Sequence, residues 1–82
     1  DKIDDFKALG ITVRGGGQGT GIQLATANGG SIASALLDGF HLYNLATGIN
    51  IGPGIQNAMV GIGQVRNVTT PIVNNGTGTV IK

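Results

Sequence analysis

Residues 37–50 read LDGFHLYNLATGIN, and residues 60–73 read VGIGQVRNVTTPIV. At an offset of 23 they match in chemistry: Leu37 with Val60, Leu42 with Val65, Asn44 with Asn67, Leu45 with Val68, Thr47 with Thr70, and Ile49 with Ile72. Ile32 and Ile55 carry the match upstream. Self-similarity at a fixed short period is the mark of stacked repeats. An earlier unit joins once two residues are looped out within GGGQGTG (residues 15–21). GITVRG (10–15) then lies over GFHLYN (39–44), and TGI (20–22) over TGI (47–49).

Each unit divides into short alternating apolar pieces separated by turn residues: ITVRG, FHLYN and QVRNV first, then GIQLA, GINIG and TPIVN, then SIASA, GIQNAM and GTVIK. Three strands per unit of about 23 residues predict an all-β chain, a right-handed parallel β-helix of about three coils. Each strand would pair with its counterpart one coil away, about 4.8 Å distant. Three interior columns follow: Ile22, Ile49 and Ile72; Val13, Leu42 and Val65; Ile32 and Ile55. Asn44 and Asn67 end the first strand of successive units, where Asn tolerates left-handed backbone angles.

Composition agrees with strands. Of 82 residues, 16 are Gly and 24 are Ile, Val or Thr, which favours short strands joined by tight turns. Gly lacks the three-residue period of collagen, and a 40% hydrophobic share argues against disorder. Charged residues are 11% and the net charge is +1, too little for a protein that binds nucleic acid by neutralising phosphates. Without Cys there is neither a disulfide framework nor a thiolate metal site, and a single His adds nothing to hold a metal. Uncharged stretches are broken by Gly, Asn and Thr, so no segment reads as membrane-inserting. With no initiator Met and no leader, the chain reads as a processed or excised piece.

The opening DKIDDFKALG reads differently. Ile3, Phe6 and Leu9 fall three apart, acids come first, and Gly10 closes the run. Those features predict a short N-terminal capping helix over residues 1–10, covering the open end of the coils formed by residues 11–82. GTVIK at the other end has no such cover, so more chain or partner subunits are expected there.

No catalytic group stands out. GGGQGTG fits neither phosphate-binding glycine pattern and reads as a wide turn. The acids are Asp1, Asp4, Asp5 and Asp38, which leaves Asp38 alone on the coils, without the second carboxylate that glycoside hydrolysis needs. Asp38 is read as a turn residue before Gly39. Ser34, Asp38 and His41 have helical spacing in a region of turn and strand, so no nucleophilic triad is assigned. Asn67-Val68-Thr69 and Asn75-Gly76-Thr77 match the glycosylation pattern but are read as turns, as is Asn28-Gly29.

The outward positions carry more. Alternation places Thr12, His41 and Gln64 in one exposed column and Arg14, Tyr43 and Arg66 in the next. A Tyr between two Arg at strand spacing predicts a stacked cation–π ladder. Arg14, His41, Tyr43, Gln64 and Arg66 together make a candidate surface for a glycan or for another subunit, against the plainer reading of a solvated face. The second-strand exterior carries Gln23, Asn50 and Val73, with Gly21, Gly48 and Pro71 beside them, a small, flat, weakly polar strip that suits close approach of another chain.

GITVRGGGQGTGIQLA (10–25), LLDGFHLYNLATGINIG (36–52) and VGIGQVRNVTTPIVNNGTG (60–78) resemble successive coils of bacteriophage tailspikes, members of the pectate-lyase-like superfamily. The resemblance covers residues 10–82 and rests on packing and turn residues. It implies a structural module of a virion tail, extracellular and homotrimeric, that recognises host surface polysaccharide. It implies no cofactor. Two alternatives stay open: part of a polysaccharide depolymerase whose carboxylates lie elsewhere, and a bacterial surface adhesin. No family catalytic motif matches this chain residue by residue.

Overall fold

A computed structural model describes residues 2–3, 5–26 and 30–81 of the chain. Among the described residues ten strands follow in order: β1 (Lys2–Ile3), β2 (Phe6–Leu9), β3 (Thr12–Arg14), β4 (Thr20–Leu24), β5 (Ser31–Ile32), β6 (Ala35–Asp38), β7 (His41–Ile51), β8 (Ala58–Val60), β9 (Gln64–Asn74) and β10 (Val80–Ile81). They form a two-stranded sheet β1-β5, a four-stranded sheet β10-β8-β6-β2, and a third sheet centred on β7. In the third sheet β3 and β4 both pair with β7, and β9 pairs with it as well. Each of these pairings is parallel.

The expected right-handed β-helix with a capping helix is corrected. The described residues contain no helix, and the strands lie in two- and four-stranded sheets of parallel pairs. The segment read as a helical cap contains β2, which joins β6 with Phe6 opposite Ala35 and Ala8 opposite Leu37. The physical reason is that a lone helical turn has no stability of its own, whereas the edge of β6 offers a row of backbone partners. The Phe6 N–H donates to the Ser34 carbonyl at 3.0 Å, and the Gly10 N–H to the Asp38 carbonyl at 3.0 Å. Ala8 is the residue that turns inward, while Leu9 is 60% exposed. Gly10 does adopt a left-handed φ of 70°, but as the corner between two strands, as does Gly39 at 67°. Asp1, Asp4 and the Asn28-Gly29 turn lie outside the described residues.

Register follows the repeat. Ile22, Ile49 and Ile72 are partners across β4, β7 and β9, and Val13, Leu42 and Val65 across β3, β7 and β9. Ile32 and Ile55 meet in an isolated parallel bridge. The strands β7 and β9 each run unbroken for 11 residues, where the sequence reads two pieces. The glycine-rich stretch after β3 is the expected wide turn: the Gly17 N–H reaches the Asn44 carbonyl at 2.7 Å, and the Thr47 N–H the Gly19 carbonyl at 3.0 Å.

The interior is wholly apolar, with no buried polar side chain among the described residues. Leu37, Leu42, Ile49, Ile51, Ile55 and Val60 are fully buried between the sheets. Each such side chain contributes about 1.5–3 kcal/mol when taken from water. Gly21 and Gly48 belong to this interior and not to an outer strip. Gly48 is buried, and a Cβ at Gly21 would meet Leu42 and Leu45 side chains at 3.0 and 2.9 Å.

Candidate ligand-binding face

Strand pairing builds the face. Thr12, His41 and Gln64 are register partners across β3, β7 and β9, and so are Arg14, Tyr43 and Arg66. All five residues singled out in the sequence therefore lie on one face of one sheet. Arg14, Gln64 and Arg66 are exposed, while His41 and Tyr43 are half-buried.

Tyr43 is the centre of the arrangement. Its hydroxyl donates to Gln64 Oε1 at 3.1 Å and lies 3.0 Å from His41 Nδ1. A phenol carries one proton, so with that proton on the Gln64 side the His41 contact is an Nδ1–H donating to the phenol oxygen. The two rings are tilted by 57° with centroids 6.2 Å apart. The Arg14 guanidinium sits over the Tyr43 ring, 5.2 Å from its centroid, within cation–π range.

Beside this ring the sheet bends. Asn44 and Asn67 take left-handed φ values of 57° and 55°, and Asn67 Nδ2 donates to Asn44 Oδ1 at 3.1 Å. The bend opens a groove of about 470 Å³ lined by Arg14, Tyr43, Asn44, Arg66 and Asn67. The sequence gives the two Asn a turn role, and the structure adds them to the groove wall. Asn57, also left-handed at 51°, is a third such corner that the repeat does not reveal. The lining holds two guanidiniums, one phenol and two carboxamides, and no carboxylate.

A second concavity of about 240 Å³ lies at the β9 end, lined mainly by apolar side chains including Phe40, Val60, Ile62, Val65 and Ile81. There Ile62 is 79% exposed.

Asp38 is accounted for structurally: its Oδ1 accepts the Ile62 N–H at 2.9 Å. His41 is turned to Tyr43, so Ser34, Asp38 and His41 do not form a relay. Comparisons with family models, curated proteins and solved structures give no match.

Proposed function

We propose that this chain is a structural module that recognises a surface polysaccharide through the face built on Tyr43, the role that its resemblance to tailspikes implies. A place on a virion tail, outside the cell, belongs to the same proposal. The observation that supports it is the open groove lined by Arg14, Tyr43, Asn44, Arg66 and Asn67, in which Tyr43 is held by hydrogen bonds to His41 and Gln64 beside it. Sugars present rings of hydroxyls, and a groove lined by carboxamides and guanidiniums supplies fixed donors and acceptors for them.

The groove holds no carboxylate to act as the acid or nucleophile of glycoside hydrolysis. Affinity electrophoresis through gels containing capsular or O-antigen polysaccharide tests the proposal. Retardation of the chain, reduced by Tyr43→Ala, is the expected result. Equal mobility in every gel counts against it, and shortening of the polymer replaces recognition with depolymerase activity.

The apolar β9 end favours a second property, assembly into the homotrimer that the resemblance implies. Exposed Ile62, Val65, Val80 and Ile81 are poorly placed against water. Light scattering across a dilution series gives the mass directly, and a persistent monomer removes the trimer from the account.

A further inference from the structure

We propose that the groove selects an acidic polysaccharide, with one carboxylate or sulfate per disaccharide, over a neutral one. This rests on the saccharide reading above and specifies its ligand.

Three features carry it. Arg14 and Arg66 occupy the same column, one strand to either side of Tyr43. Their backbones are therefore about 9.6 Å apart, twice the strand spacing. That is close to the distance between equivalent groups on successive disaccharides of an extended polymer. A chain lying across the strands, from β3 to β9, would meet one guanidinium per repeat.

The second feature is the cover on Tyr43. A neutral pyranose binds an aromatic ring by lying on its face, but here Arg14 already sits over the ring at 5.2 Å. The phenol proton is engaged by Gln64. What remains accessible is the edge of each guanidinium, whose planar fork matches the two oxygens of a carboxylate or sulfate.

The third is the residual capacity of the Asn pair. Asn67 Nδ2 and Asn44 Oδ1 bond each other, which leaves the Asn67 oxygen and the Asn44 amide hydrogens for hydroxyls or an N-acetyl group between the anionic sites. Single-stranded nucleic acid suits the face less well. Such ligands stack successive bases on successive aromatic rings, and both column neighbours of Tyr43 are Arg.

The test uses the full 82-residue chain and four immobilised polymers: hyaluronan, polygalacturonate, dextran and oligodeoxythymidine. Hyaluronan, with one carboxylate per disaccharide, is expected to bind best, and its binding to fall with added salt. Arg14→Gln and Arg66→Gln should each weaken it about tenfold, the loss of one charge-assisted contact. Both positions are exposed, so the variants should keep the fold. Arg14→Lys, which keeps charge but not the fork, should fall between. Dextran bound as well as hyaluronan, with the Arg variants unchanged, overturns charge selection while leaving a saccharide site. Tighter binding of polygalacturonate overturns the spacing. Tighter binding of the oligonucleotide overturns the ligand class, and binding of no polysaccharide overturns this proposal and the saccharide reading together.

Discussion

The Arg14 guanidinium lies over the Tyr43 ring at 5.2 Å, from the neighbouring strand in exact-register partnership with it. Arg66 stands opposite Tyr43 on the other side, so one aromatic ring separates two like charges on the two strands that flank β7. Like charges placed directly opposite are destabilising; Arg14 has the ring as its neighbour instead and gains a cation–π contact with it.

Tyr43 variants separate the ring from its hydroxyl. Tyr43→Phe keeps the cation–π contact and loses the bonds to His41 and Gln64, costing about 0.5–1.5 kcal/mol. Tyr43→Ala also loses the ring, for about 0.5–1 kcal/mol more. Urea denaturation of the two variants checks the order. A Phe variant as unstable as the Ala variant would assign the whole effect to the hydroxyl.

Close packing at Gly48 has a sharp consequence. A Cβ there would meet the Pro71 carbonyl oxygen at 2.6 Å, whereas one at Gly16 would meet nothing within 4 Å. Gly48→Ala should cost about 1–3 kcal/mol by overpacking. Gly16→Ala should be neutral or stabilise by a few tenths, about what lost unfolded-state freedom gives. Thermal melts compare them, and equal melting temperatures would mean that the Pro71 carbonyl gives way at the β7–β9 contact.

How far could the sequence be read? In parallel strands stacked at one register, partners sit at fixed sequence offsets, so the 23-residue repeat is itself the register. That is why Ile49 and Ile72, or Tyr43 and Arg66, were placeable in advance. The strand β2 was not, because two of its four pairs, Lys7 with Leu36 and Leu9 with Asp38, share no chemistry. The three-residue spacing of Ile3, Phe6 and Leu9 imitated a helix in the absence of that signal. The break in alternation within β7 was hidden for another reason. The left-handed bend at Asn44 resets the in-and-out alternation, leaving Tyr43 and Asn44 both off the core before Leu45 enters it. The groove owes its walls to that same bend, and strict alternation cannot show it.

The bend residues should therefore be replaceable only by residues that accept a positive φ. Asn67, at φ 55°, is exposed and its amide bonds Asn44. Asn67→Gly keeps the bend and loses one exposed hydrogen bond. Asn67→Val places a β-branched residue in left-handed space, at a cost of about 1–3 kcal/mol. Denaturant midpoints that fall equally in both variants would show that the amide, not the backbone, holds the corner.

Charge also governs how copies can meet. Another copy continuing the register beyond β9 with its own β3 would bring Gln64 beside Thr12 and Arg66 beside Arg14. The Arg pair opposes such end-to-end growth despite the apolar residues at that end. Arg66→Glu replaces repulsion with attraction and should raise the mass of the chain with concentration, read by sedimentation velocity. Superimposable wild-type and variant profiles would remove Arg66 from the control of assembly.

The saccharide face is tested most directly by titrating hyaluronan into the isotopically labelled chain and following backbone amide shifts by NMR. The account predicts shifts grouped on Thr12–Arg14, on His41–Asn44 and on Gln64–Asn67, the three strand segments around the groove. Shifts confined to the apolar end at Ile62 and Ile81, or no shifts at saturating polymer, would contradict it.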